Sequence, residues 1–333
     1  MNLGIIGASG VVGMELIKLL ENNHLKIKYF SIRLFGSSRS KDTNINFRDT
    51  SLTIELLDEN IFAYLDIVIF CTGNDISRKY VPIANINNCI CIDHSSEFRM
   101  CKDIPLIIPE INSNLAKDQK IIASPNCCTS LLCMILYPLT KLGKIKKVTV
   151  STYQAASGAG INGLNELTQQ IHDYSNNKQL KTDYFKRQYL LNVFSHNSDV
   201  DIDNGYNDEE IKLVNETFKI LGIKVNPTCV RVPVLRSHCE SVAIEFEHSV
   251  ELLSVYDVLS KFDGVKIKDN KISNQFPEPI NTENKFDISV GRIRHDITDK
   301  ENKTINLFLS GDQLLKGAAL NSYQILKYLA EFI

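Results

Sequence analysis

Leu3-Gly4-Ile5-Ile6-Gly7-Ala8-Ser9-Gly10-Val11-Val12-Gly13 decides how the rest of the chain is read. Leu3–Gly7 is a short apolar run of strand length. Val11–Leu20 then repeats its apolar residues at helical spacing, which predicts a helix. Between them, Gly7 permits a tight turn, Gly10 lets the backbone approach a phosphate, and Gly13 lets helix pack closely on strand. The exposed N–H groups of the helix start suit a pyrophosphate. The spacing is G-x-x-G-x-x-G rather than the commoner G-x-G-x-x-G, so the pattern gains its weight from its position between strand and helix.

Outward from this loop the first third keeps alternating. Lys26–Ile32, Asp66–Cys71, Cys89–Asp93 and Ile121–Ser124 are strand-like, and Ile76–Ala84 is helical. Such alternation predicts a doubly wound parallel sheet. Pro125-Asn126 opens an apolar helix, Cys128–Leu142. Beyond it Val148–Ala155, Thr228–Leu235, Ser241–Glu247, Phe286–Ile293 and Thr304–Leu309 are strand-like, with helices at Asn162–Tyr174, Asp208–Leu221 and Leu252–Phe262. Asn192–Tyr206 and Asn270–Asn284 are polar and read as loops. Gln313–Phe332 is an amphipathic helix. The fold class is therefore α/β, a Rossmann-like N-terminal domain with an α+β second domain on a mixed sheet. The expected domains are 1–126 plus 312–333, and 127–311.

Bulk properties narrow the function. A net charge of -2 leaves no basic surplus for nucleic acid. No apolar run approaches the ~20 residues of a membrane helix, and no basic leader precedes the first apolar stretch. Nine cysteines cannot all pair, so free thiols and a cytoplasmic location are expected. No Cys-x-x-Cys occurs, and no metal site is expected.

The cofactor is read at the end of the second strand. An NAD site usually carries an acid there for the ribose hydroxyls. This chain has Arg33-Leu34-Phe35-Gly36-Ser37-Ser38-Arg39-Ser40-Lys41 instead. Cations and hydroxyls suit a 2′-phosphate, which favours NADP.

Ser124-Pro125-Asn126-Cys127-Cys128-Thr129-Ser130 places a thiol where a strand gives way to a helix. A helix N-terminus can draw a thiol pKa from about 8.5 into roughly 3.5–7.5, and the thiolate is a nucleophile for an acyl carbon. Asn126-Cys127 followed by Thr129, Tyr153-Gln154-Ala155-Ala156-Ser157-Gly158-Ala159-Gly160, Arg231-Val232-Pro233-Val234 with His238, and Lys316-Gly317-Ala318-Ala319-Leu320-Asn321 together resemble the aspartate-β-semialdehyde dehydrogenase family. The likeness runs in order from about residue 3 to residue 330. Cys128 stands where the family usually has Ser, and Ser237-His238-Cys239 where Gly-His-Ser is common.

The resemblance implies roles. Cys127 is the nucleophile, Gln154 orients the reacting centre, and His238 is the acid/base. Arg231 grips a substrate carboxylate. Arg99, Asn126 and Lys212 hold phosphate, and Glu209 meets the substrate ammonium, although Glu209-Glu210 can be read in either register. Gly7, Ala8, Ser9, Gly10, Val11, Val12, Ser37, Ser38, Arg39, Ser157, Gly158 and Gln313 are expected to line the NADP site. The other six histidines read as half-buried strand histidines, and Arg236 and Arg292 as surface or interface residues. The implied reaction is NADPH-dependent conversion of L-aspartyl-4-phosphate to L-aspartate 4-semialdehyde and phosphate through a Cys127 thioester, at the entry to lysine, threonine and methionine synthesis. A homodimer or homotetramer is implied too. The rival readings are N-acetyl-γ-glutamyl-phosphate reductase, whose cysteine usually sits between Gly and Tyr, and a non-catalytic NADP-binding paralogue, which has no need of Cys127, Gln154, Arg231 and His238 together.

Overall fold

A computed structural model describes residues 1–29 and 31–332. The chain forms two compact units, 1–126 with 318–333, and 127–317. Residues 312–317, expected with the first domain, group with the second unit.

The first unit is built on one seven-stranded sheet in the order β3-β4-β2-β1-β5-β6-β7. Its strands are β1 (Asn2–Ile6), β2 (Ser31–Gly36), β3 (Asn44–Phe47), β4 (Thr50–Leu56), β5 (Ile67–Phe70), β6 (Ile90–Asp93) and β7 (Ile121–Ala123). All pair in parallel except β3, which lies antiparallel on β4. In β5, Ile67-Val68-Ile69-Phe70 is buried at every position, as a parallel strand covered on both faces requires. Helices α1 (Val11–Asn22) and α2 (Asn74–Ile86) follow β1 and β5, and the single turn α3 (Pro109–Asn112) precedes β7.

The second unit carries another seven-stranded sheet, ordered β12-β13-β14-β11-β8-β10-β9. Its strands are β8 (Ile145–Gln154), β9 (Phe194–Ser195), β10 (Val225–Arg231), β11 (His238–Phe246), β12 (Val265–Ile267), β13 (Ile288–His295) and β14 (Thr304–Gly311). The helices are α4 (Cys127–Leu139), α5 (Gly160–Ser175), α6 (Asp208–Leu221), α7 (Leu252–Ser260) and the short α8 (Pro279–Thr282). β8 buries Val148, Val150, Thr152 and Gln154 and turns Thr149, Ser151 and Tyr153 outward. That alternation marks a sheet covered on one face only. The chain ends in α9 (Leu320–Leu329), which packs on α1 and α3 in the first unit. Among the described residues no helix is long and apolar enough to cross a membrane.

Three sequence expectations shift. The second strand runs from Ser31, not Lys26–Ile32. Lys26 has φ 53, a left-handed turn that ends extended pairing, and Phe30 lies outside the described residues. The hairpin of β3 and β4 was not anticipated. The expected helix Gln313–Phe332 becomes a π-helical turn, Leu315–Ala319, followed by the shorter α9.

Candidate active site

Cys127 is the first residue of α4, where the backbone N–H groups are free of intrahelical partners. Its thiol is held well below the usual range, chiefly because Cys128 hydrogen-bonds to it, with the neighbouring His238 lowering it further against the opposing effect of burial. Burial pushes the thiols of Cys71, Cys89, Cys91, Cys128, Cys133, Cys229 and Cys239 the other way. One cysteine is thus prepared as a nucleophile, and its neighbour is not.

β11 begins at His238, which is fully buried. Its Nδ1 accepts the Ala155 N–H at 3.0 Å, so the neutral ring keeps its proton on Nε2, an atom with no protein partner. A ring nitrogen of His238 and the sulfurs of Cys127 and Cys128 lie within 4.8 Å of one another. A ring held this way presents N–H rather than a lone pair to the thiols, which suits hydrogen-bond donation and opposes metal ligation. Gly158 makes this approach possible. A Cβ there would stand 2.9 Å from His238 Nε2 and 3.1 Å from Arg231 Nη1.

Gln154 ends β8 on the buried face. Its Oε1 accepts from Thr152 and its Nε2 donates to Glu209 Oε1, each at 3.1 Å. Glu209 sits in the first turn of α6. Helix α6 starts on a capping box, in which Asn207 Oδ1 accepts the Glu210 N–H and Glu210 Oε2 accepts the Asn207 N–H, both at 3.0 Å. Glu210 is therefore spent on the cap and on the Cys229 N–H. Glu209 meets Gln154 and, at 3.2 Å, Lys212. The two carboxylates that the sequence left in either register thus have different partners.

Arg231, at the end of β10, is 3% exposed and donates to Asn197 Oδ1, Ala155 O and His196 Nε2. Ser157 and Gln313 join each other, and Gln313 Oε1 also accepts the Ser237 N–H. One sequence reading needs correction here. Arg236 is not a surface residue, because it pairs at 2.7 Å with the fully buried Asp312, next to Gln313. His196 is half-buried, as read, and its ring lies against Arg231. Only its place in a polar loop was visible, and nothing in the loop's composition pointed to it. Arg292 is exposed, as expected.

The remaining candidates belong to the first unit and lie after the C-terminal ends of its strands, where open α/β sheets bind ligands. Arg99 follows β6. Buried Asp93 accepts from Ser77 and Ser95 at 2.6 Å and shapes that turn, and Arg99 donates to His94 O at 2.7 Å. Asn126 follows β7 and is buried. Gly7, Ser9, Gly10 and Ser37 line a cleft of about 400 Å³, with Ala8 buried beneath it. Ser38 and Arg39 are exposed on the turn after β2. Arg33, one of the cations counted there, instead grips Glu55 through two hydrogen bonds.

The cleft fits a dinucleotide. A Cβ on Gly10 would meet only Gly7 O, at 3.2 Å, and otherwise open space, whereas one on Gly13 would strike Gly7 O at 2.4 Å. The amides of Gly7, Ala8 and Gly10 bond within the fold, which leaves those of Ser9, Val11 and Val12 for phosphate oxygens.

A prepared thiol on the same chain as a dinucleotide-type sheet is the equipment of dehydrogenases that work through a thioester. Comparison with known proteins narrows that class. Residues 2–119 match the NAD-binding domain of semialdehyde dehydrogenases, and residues 136–316 match the semialdehyde dehydrogenase dimerisation domain. The chain is 40% identical to the aspartate-semialdehyde dehydrogenase of Prochlorococcus marinus over 99% of its length and 96% of the relative's. It is 38% identical to that of Campylobacter jejuni, covering 97% and 95%. The crystal structure of Vibrio cholerae aspartate-semialdehyde dehydrogenase II complexed with ASA superposes with a TM-score of 0.94 at 34% identity, covering 99% and 98%. The chain belongs to the aspartate-semialdehyde dehydrogenase family.

Proposed function

We propose that the chain converts L-aspartyl-4-phosphate to L-aspartate 4-semialdehyde and phosphate, with Cys127 as the acyl carrier and NADPH as reductant. The lowered thiol of Cys127, held by Cys128 and His238, carries this reading. Arg231 seats the α-carboxylate, Glu209 the ammonium group, and Lys212 with Arg99 and Asn126 the phosphate. Cys127 attacks the acyl carbon as a thiolate, and the phosphate leaves with its electron pair. When bound, NADPH supplies the reducing equivalent for the thioester. Gly7 to Val12 would hold its pyrophosphate, and Ser37, Ser38 and Arg39 its 2′-phosphate, with Ser157, Gly158 and Gln313 assigned to the nicotinamide end. In the first half negative charge passes from the Cys127 sulfur to the carbonyl oxygen and leaves with the phosphate; in the reductive half the charge would reach that oxygen with the reducing equivalent and return to the Cys127 sulfur as the carbon–sulfur bond breaks. His238 Nε2–H can donate a hydrogen bond to that oxygen in both halves and can give the departing phosphate the one proton that the reaction consumes, the ring then regaining it from solvent. Gln154, fixed by Thr152 and Glu209, faces the same centre.

On this reading residues 1–126 with 312–333 serve the nucleotide and 127–311 the chemistry and the dimer. The bare face of the second sheet would join two copies. Nine free cysteines suit a reducing cytoplasm. The test is phosphate-dependent reduction of NADP with aspartate semialdehyde. Turnover is expected with this aldehyde and not with N-acetyl-glutamate semialdehyde, and the reverse preference would overturn the substrate assignment.

A further inference from the structure

Arg231 is a buried cation whose hydrogen-bond partners among the described residues are all uncharged. Burial pushes His196 down to about 3, so its ring is neutral, and Asn197 and the Ala155 carbonyl carry no charge. A guanidinium left this way lacks an anion, which agrees with the carboxylate role proposed above. Its partners also determine how that anion must arrive.

A guanidinium has five N–H donors in a plane. Nε–H and the adjacent Nη2 hydrogen form one two-donor edge. Consecutive residues occupy those two nitrogens: Asn197 Oδ1 lies 3.1 Å from Nε, and His196 Nε2 lies 2.7 Å from Nη2. Ala155 O takes one hydrogen of Nη1 at 3.1 Å. One hydrogen on each terminal nitrogen remains, so a two-point contact with a carboxylate is made across the end of the guanidinium, between Nη1 and Nη2. Arg231 can only donate, so His196 Nε2 accepts and the neutral ring keeps its proton on Nδ1, where Ser198 Oγ at 3.0 Å accepts its hydrogen bond and the Ser198 N–H, 3.3 Å away, gains no acceptor. That hydroxyl oxygen in turn accepts the Glu209 N–H at 3.2 Å. The loop carrying His196 is fastened to Arg231's own strand, because β9 pairs Phe194 with Arg231 and the His196 N–H donates to Cys229 O at 2.9 Å.

We propose that His196 and Asn197 are positioning residues forming a clamp on Arg231. They close its side edge, leave the end between Nη1 and Nη2 as the seat for the substrate carboxylate, and through Ser198 keep that end in register with Glu209. The inference rests on the reading of Arg231 as the carboxylate group.

The test compares His196→Leu, His196→Gln and Arg231→Lys in the phosphate-dependent assay. Removing one hydrogen bond to a charged group should change binding by about 10- to 100-fold. His196→Leu should therefore raise KM for aspartate semialdehyde about tenfold or more and leave KM for phosphate and the pH profile of Cys127 alkylation unchanged. His196→Gln, which restores a neutral acceptor, should recover most of the loss. A His196→Leu enzyme with KM for aldehyde and phosphate raised alike, or one that Gln does not rescue, would overturn the clamp in favour of a packing role. If Arg231→Lys impairs aldehyde binding and His196→Leu does not, the clamp fails alone. If neither variant moves KM for the aldehyde, the carboxylate site itself has been misassigned.

Discussion

Cys127 and Cys128 are chemically alike in the unfolded chain, and the fold separates them by one step of a helix. Side chains at successive helical positions point about 100° apart. Cys127 keeps some exposure, and Cys128 is fully buried against Glu240. Burial and the Cys127 charge raise Glu240 well above the usual carboxylate range, so Cys128's proton remains available to the Cys127 sulfur. Cys127→Ser should abolish turnover, since a hydroxyl without a lowered pKa is a poor nucleophile at neutral pH. Cys128→Ser keeps a donor and should retain most activity. Cys128→Ala removes the largest stabiliser of the thiolate, so the pH midpoint of iodoacetamide labelling at residue 127 should move upward. Labelling mainly at Cys128, or an unmoved midpoint in Cys128→Ala, would contradict this. Cys127, Gln154, Arg231 and His238 were nameable as candidates from sequence because each sits in a distinctive local string. His196, Asn197 and Arg236 were not, since their importance comes from contacts made across strands. The different partners of Glu209 and Glu210 follow from the capping geometry, which distant Cys229 helps to fix.

At the level of elements, strong local patterns were read well. The all-apolar β5, the helix after the glycine loop, and α6 with its Asn207 cap are set by residues close in sequence. The β3–β4 hairpin was missed because Asn44-Ile45-Asn46-Phe47 and Thr50-Ser51-Leu52-Thr53 are short, polar at alternate positions and partly exposed. The turn between β2 and β3 holds the cofactor prediction. Arg33 was one of its three candidate cations, but Glu55 occupies both donors of its side edge. Arg39 is fully available on the exposed turn beside Ser37 and Ser40, which line the cleft. Arg39→Ala should thus weaken NADPH binding by about 10- to 100-fold, the range for a charged hydrogen-bond partner, and leave NADH binding nearly unchanged. Titration of cofactor fluorescence measures both constants, and equal losses would show that Arg39 does not read the 2′-phosphate.

At the scale of the whole molecule, the second sheet poses the largest unsatisfied demand. Its buried face carries the site, while Thr149, Ser151, Tyr153, Ser241, Ala243 and Phe308 turn to the other side. The Tyr153 and Phe308 rings meet at a tilt on that side, with centroids 6.0 Å apart. Five neighbouring strands about 4.8 Å apart and about 25 Å long offer roughly 600 Å², which with flanking loops approaches the ~800 Å² per partner of a stable interface. Strand β11 lies at the centre of the sheet order, and Ala243 sits midway along it between Thr149 and Asn306. A symmetric dimer would bring this position close to its counterpart. Ala243→Arg should place two like charges and two long side chains at that centre, separating the copies without touching His238 or Glu240, which point to the other face. Sedimentation should show the unaltered chain as a dimer and Ala243→Arg as a monomer that retains the circular dichroism of the folded protein. A variant still dimeric at micromolar concentration would place the interface elsewhere, and an unaltered chain sedimenting as four copies would require a second contact surface beyond this sheet.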